Sequence, residues 1–209
     1  MTPIVTLNTE PFPHVIIDDF YDEEELKKIF REIDFLFPKV KSSGMSLGTG
    51  IDIVSGEPLS SGHALCLDKF FNDRQSSDIV QITDKVFLPE LLLTIRDVHP
   101  LYGHVEHLNV SNTKLKYYND KDKYKSHMDY ARFTFLSWFC KEPKLFEGGD
   151  LVFQQFNNYK IDFKNNRAVF FCGAVYHEST PLKFNKDAKE DSGKFVVTKF
   201  LDLDESLKR

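Results

Sequence analysis

The sequence predicts an α+β fold in which helices come first and strands later. Before residue 100, apolar residues recur at helical spacing. From about residue 103, short runs rich in β-branched and aromatic residues take over, separated by turn signals. Six such runs with regular turns suggest a sandwich or jelly roll. No internal repeat and no glycine pattern of a dinucleotide or phosphate loop is present.

The elements follow in order. "HVIIDDF" (14–20) reads as a short strand. "YDEEELKKIFREIDFLFP" follows, with Leu26, Ile29, Phe30 and Ile33 on one helical face. Asp22 and Glu25 form a capping-box pattern, and Pro38 is expected to stop the helix. Residues 39–63 are dominated by glycine and serine and read as a loop with a brief hairpin. Two readings of residues 41–62 stand side by side: a plain surface loop, or a lid over an open barrel end. "SSDIVQITDKVF" starts a second helical region, and Pro89 kinks it or starts a new helix, "PELLLTIRDV". The expected strands are "HVEHLNV", "TKLKYY", "RFTFLSWF", "DLVFQQF", "RAVFFC" and "KFVVTKFL". With no dividing linker, residues 1–209 are expected to form one domain, helical to about 100 and β-rich over about 103–202.

Bulk properties exclude several classes. Apolar residues make up 41% and charged residues 28%, which fits a globular chain with a core. The 20 phenylalanines point to an aromatic one. A net charge of −5 argues against a nucleic-acid partner. The lysines at 183, 186, 189, 194 and 199 read as a solvated basic face. The 3 cysteines, Cys66, Cys140 and Cys172, cannot all pair. No run reaches the roughly 20 apolar residues of a membrane span. The start of the chain has no apolar signal core, so a cytoplasmic location without membrane association is expected.

Among the 7 histidines, His14 and His63 sit beside turn residues and are expected to face solvent. His99 is expected at a helix end. His104 and His107 are expected on opposite faces of a strand. His127 and Asp129 stand two apart, so on a strand both would face one way. His177 follows an apolar run further along. Two histidines and one carboxylate on one face of a metal leave the opposite face open, the arrangement of non-haem Fe(II) oxygenases. Phe133, Phe135 and Phe170 are expected to wall the site.

The neighbouring motifs resemble those of a known family. "YYNDKDKYKSHMD" is similar to the opening of the catalytic core in prolyl 4-hydroxylase-like 2-oxoglutarate/Fe(II) dioxygenases, with Tyr118, Tyr124, His127 and Asp129 at matching spacing. "FEGGDLVF" (146–153), "NNRAVFFCGAVYHESTPL" (165–182) and "GKFVVTKFL" (193–201) resemble its later strands, and "PFPHVIIDDFYDEEEL" resembles its N-terminal part. The resemblance implies a distorted double-stranded β-helix, cupin-like, with N-terminal helices packed outside. It implies Fe(II) held by His127, Asp129 and His177, with 2-oxoglutarate as co-substrate, O2 as oxidant and ascorbate as a candidate addition. Related halogenases lack the carboxylate, so Asp129 favours hydroxylation, of a prolyl, peptide, protein or amino-acid-like small molecule.

The basic residue for the co-substrate lies further from the distal histidine than is usual in the family. Lys194 opens a strand-like run and is preferred over Lys183 and Lys186. Val196 stands where a serine is usual, and Trp138 or Phe139 where relatives often carry a tyrosine. Tyr118 or Thr134 is expected to supply the missing hydroxyl. Two rival readings are a cupin-like metal-binding module without oxygenase activity and a zinc hydrolase with Glu178 as its base.

Overall fold

A computed structural model describes residues 2–43, 50–52, 54–204 and 206. Strands β1 (Ile4–Asn8) and β2 (His14–Asp18) precede helix α1 (Glu23–Ser42). β3 (His63–Cys66) leads into α2 (Leu67–Phe70), α3 (Asp78–Thr83) and α4 (Pro89–Arg96). The chain then runs through β4 (Val110–Tyr118), β5 (Tyr124–His127), β6 (Phe133–Phe139), β7 (Phe146–Gly148) and β8 (Leu151–Phe153). It ends with β9 (Tyr159–Ile161), β10 (Arg167–Cys172), β11 (His177–Ser179), β12 (Leu182–Phe184) and β13 (Lys194–Asp202).

Among the described residues, seven strands form one sheet in the order β1-β2-β10-β6-β13-β4-β3, and four form a second, β5-β11-β8-β9. β7 and β12 make a separate pair. Strand alternation divides the core in two. On β6 and β13, Phe133, Phe135, Phe139, Phe195 and Val197 pack against Ile29, Ile33, Leu36, Ile79 and Ile95 of the helices. Leu136, Trp138 and Val196 point the other way and meet Leu151, Phe153 and Ile161 of the smaller sheet. This is the expected jelly roll with helices outside.

Sequence signals explain α1. Asp22 Oδ1 accepts from the Glu25 amide, and Glu25 Oε2 accepts from the Asp22 amide, closing the capping box. Pro38 does not stop the helix but lies inside it. Proline removes one backbone donor, and buried Leu36 and Val40 on either side hold the last turns against the sheet. Pro89 starts α4 at its first position, where an amide would lack a partner anyway.

Other expectations fail for tertiary reasons. "HVEHL" is not a strand: Val105–His107 form a 3-10 turn, and His104 and His107 are exposed on it. His14 is fully buried, with its ring stacked on Phe12 at 4.7 Å and bonded to the Phe12 carbonyl. Lys199 is no surface lysine either. It is buried against the helices, where Asp84 at 2.6 Å and Thr113 at 3.0 Å accept its protons. Phe133 and Phe170 stack on each other beneath Tyr102 and, with Phe135, face the helices rather than the metal-ligand cluster. Residues 44–49 and Ile53, part of the segment read as a loop or lid, lie outside the described residues. Around them, Ile51 bridges Pro58, and Ser60 bridges Tyr124 on β5. No helix among the described residues is long and apolar enough to cross a membrane.

Candidate metal centre

His127 and His177 meet through sheet register. β5 and β11 are antiparallel, and His177 lies directly opposite His127. Side chains of directly opposed residues share one face. Asp129 arrives differently from the expectation. β5 ends at His127, so Asp129 stands in the loop beyond it. Its amide donates to the Gly173 carbonyl at 2.9 Å, and the Gly173 amide donates to the Arg132 carbonyl at 3.0 Å. A Cβ at Gly173 would sit 2.1 Å from the Ala131 carbonyl oxygen. The turn between β10 and β11 can therefore pin the Asp129 loop only because residue 173 has no side chain.

His127 Nδ1 lies 2.9 Å from the Lys125 carbonyl, and His177 Nδ1 lies 2.9 Å from the Val175 carbonyl. A carbonyl can only accept, so both Nδ1 atoms carry the proton. Burial lowers both imidazole pKa values, which keeps them neutral. Both Nε2 lone pairs are then free. They face Asp129 at 3.7 Å (His127) and 3.6 Å (His177), too far for a hydrogen bond. The three ligand atoms lie within 4.8 Å of one another. Two neutral imidazoles and a carboxylate around a common point suit a divalent first-row metal.

A narrow cavity beside this cluster is lined by Tyr118, Leu136, Trp138, Leu151, Ser179 and Lys194, among others. Lys194 is 2% exposed. Its ammonium donates to the Gly149 carbonyl and to Ser179 Oγ, and stands 4.9 Å over the Trp138 ring. Gly149 has φ +76°, a conformation that brings its carbonyl to the lysine at little cost. No carboxylate among the described residues pairs with Lys194. Burial lowers its pKa to about 7, against the attraction of Asp150. Lys183 and Lys186 are exposed and outside the cavity.

The two expected hydroxyls separate. Tyr118 lines the cavity, and burial raises its pKa. Thr134 does not line it. Its Oγ1 donates to Asp129 Oδ2 at 2.5 Å, so its one hydroxyl proton is directed at that carboxylate. Glu178 is turned aside, accepting from Gln154 at 2.7 Å.

Sequence reading missed Thr198. Its Oγ1 is buried without a hydrogen-bond partner and lines the same cavity. It stands on the inward face of β13, in phase with Lys194, so strand alternation alone would have found it. Tyr124, named only for its spacing, stacks on the His127 ring with centroids 3.6 Å apart. Lys116, on the inward face of β4, was missed entirely.

No family model matches the sequence, and neither does any curated protein. Solved structures do share its architecture. A prolyl-4-hydroxylase from Pseudomonas putida aligns over 91% of this chain and 92% of its own, with TM-score 0.60 and 13% identity. A viral collagen prolyl hydroxylase from Paramecium Bursaria Chlorella virus-1, in its 2OG complex, aligns over 91% and 96%, with TM-score 0.54 and 14% identity. The fold is that of these hydroxylases. An oxidoreductase of the 2OG-Fe(II) oxygenase family from Burkholderia pseudomallei shares it too, over 90% of this chain and 85% of its own, with TM-score 0.54 and 12% identity.

Within this hydroxylase fold, Thr134 gives a direct test of the geometry. Thr134→Val keeps the shape and removes the donor to Asp129. Metal affinity should fall about tenfold, the lower end of what losing such an orienting contact costs. Calorimetric titration with Mn(II) would measure this. Unchanged metal affinity with weakened 2-oxoglutarate binding would return Thr134 to the co-substrate role that the sequence suggested.

Proposed function

We propose that residues 1–209 act as one 2-oxoglutarate- and Fe(II)-dependent dioxygenase domain that hydroxylates a peptide or amino-acid-like substrate. One observation carries the reading: two unprotonated Nε2 atoms and a carboxylate converge beside a cavity holding a buried ammonium that no carboxylate among the described residues pairs with. A buried charge left without its partner is costly. A ligand that binds the metal at one end and brings a carboxylate to Lys194 at the other would remove both deficits. 2-Oxoglutarate has that form.

His127, Asp129 and His177 would hold the metal. Lys194 would take the far carboxylate, and the orphan hydroxyl of Thr198 together with Tyr118 offers further hydrogen bonds within the cavity. Bound iron and 2-oxoglutarate would supply the oxidising chemistry, consuming O2 and releasing succinate and CO2. The protein's part is to orient and to exclude water. Thr134 fixes the Asp129 carboxylate, the Lys125 and Val175 carbonyls fix the imidazole tautomers, and Leu136, Trp138 and Leu151 wall the cavity. Gly50, Ile51, Asp52, Val54 and Leu59 line the wider groove that takes in His127 and Asp129, which supports a role as a lid for the segment they belong to.

Incubation with Fe(II), O2 and 2-oxoglutarate should release succinate and CO2 in equal amounts. A cupin-like module would bind metal and release neither, which would overturn the proposal.

A further inference from the structure

The inward face of β4 carries a charge that the co-substrate reading leaves unused. Its inward residues alternate outward along the strand as Tyr118, Lys116, Lys114 and Asn112. The register with β13 sets Tyr118 opposite Lys194, Lys116 opposite Val196, and Lys114 opposite Thr198. Tyr118 and Lys194 therefore mark the deep end. Lys114 lines a wide groove of about 850 Å³ that also takes in His127 and Asp129. Lys116 lines both the groove and the deep cavity, so it stands where the two join.

Lys116 is 9% exposed. Among the described residues its ammonium makes no hydrogen bond and no ion pair. It sits 4.5 Å over the Tyr124 ring, the ring that stacks on His127. The carboxylates lining the groove are committed elsewhere. Asp202 is held by Arg132 at 3.1 Å, Asp52 caps its own turn through the Val54 and Ser55 amides, and Asp129 belongs to the metal-ligand cluster. Lys114 adds a second ammonium to the groove, 5.1 Å over Phe200. A lysine so buried, attracted by the Asp129 carboxylate of the metal-ligand cluster but paired with no carboxylate among the described residues, is stabilised by an anion from outside.

We propose that Lys116 is a specificity-determining residue that binds a carboxylate of the substrate, so that the enzyme acts on an acidic molecule entering from the groove. The assignment rests on the oxygenase reading and names its substrate class. The co-substrate's own carboxylate is the other source of the same chemistry. The groove position of Lys116 favours the substrate, because Lys194 already closes the deep end.

Matched probe sets test this: N-acetylated, amidated peptides centred on Asp or Glu, and the isosteric peptides centred on Asn or Gln. Stimulation of succinate release is measured with the Fe(II) form. Direct binding is measured by calorimetry with the Mn(II) form, which needs no turnover. 2-Oxoglutarate affinity is read separately from the fluorescence of Trp138, the sole tryptophan, which lines the deep cavity. Acidic probes should bind and stimulate about tenfold better than their neutral isosteres, as a charge-assisted contact implies. Lys116→Met should abolish that preference and leave 2-oxoglutarate affinity little changed.

Equal binding by both sets, no binding by any acidic probe, or an acidic preference that survives Lys116→Met would overturn the assignment. Loss of 2-oxoglutarate binding in Lys116→Met would overturn it too, by placing Lys116 on the co-substrate. If the unaltered protein gave no 2-oxoglutarate response, the oxygenase reading would fail. The calorimetric preference for acidic probes would then still decide the role of Lys116.

Discussion

His177→Ala should abolish metal binding and turnover while the fold survives. Three ligand atoms converge on one point, and two of them are the imidazole Nε2 atoms of His127 and His177. Removing one leaves an imidazole and a carboxylate, which is no longer a facial set. The loss should exceed the roughly 10–100-fold that changes to outer-shell partners alone cost. The fold should survive because β11 is held by backbone pairing to β5 and β8. His127→Ala and Asp129→Ala should behave alike. Calorimetry with Mn(II), succinate release and circular dichroism together separate the outcomes. Full succinate release from His177→Ala would sink the proposed triad. Loss of secondary structure would show that the histidine is a core residue first.

The legible parts of this protein are those where local chemistry and tertiary outcome agree. Asp22 and Glu25 state a helix start that the structure completes with both hydrogen bonds. The turn-separated apolar runs give most of the large sheet, because buried strands tolerate little else. His127, Asp129 and His177 were legible as a set, though for a partly wrong reason. Strand alternation does not join His127 to Asp129, since the strand has already ended. Register brings the histidines together, and Gly173 pins the aspartate loop. Neither register nor close approach is written in spacing.

Most of the misread residues share one cause. The central strands β6, β10 and β13 of the large sheet are buried on both faces, so alternation no longer sorts inward from outward. Phe133, Phe135 and Phe170 look like good cavity walls, yet their parity sends them to the helices, while Leu136 and Trp138 face the cavity. Lys116 and Lys199 look like surface lysines for the same reason, and both are buried. His14 sits among turn residues but is covered by its neighbour Phe12 and by Tyr159, which closes over it from a sequence-distant position. Thr198 and Lys116 could have been found by counting in twos from Lys194 and Tyr118, once those two were assigned to the cavity.

Lys194→Met should weaken 2-oxoglutarate binding by about one to two orders of magnitude, and the same lysine should make that binding depend on pH. A charge-assisted contact to a carboxylate is worth roughly 1.5–3 kcal/mol, and each 1.4 kcal/mol is about tenfold in affinity. Without ligand, burial holds the Lys194 pKa at about 7, below its ordinary 10.5. A dianion binds the ammonium form, so binding takes up a proton wherever that form is scarce. Affinity should be full below pH 7 and fall by about tenfold for each pH unit well above it. Stability of the free protein runs the opposite way. Between pH 7 and 10.5 the unfolded chain binds the extra proton, so Lys194 destabilises the fold most at low pH and least as pH rises. Trp138 fluorescence reports binding directly, because the ammonium lies 4.9 Å over its ring. In Lys194→Met the pH dependence should vanish along with the affinity, while Lys183→Ala and Lys186→Ala should change neither. Binding that is independent of pH in the unaltered protein would remove Lys194 from the co-substrate, and a loss confined to Lys183→Ala or Lys186→Ala would move the anion site to the surface segment that precedes β13.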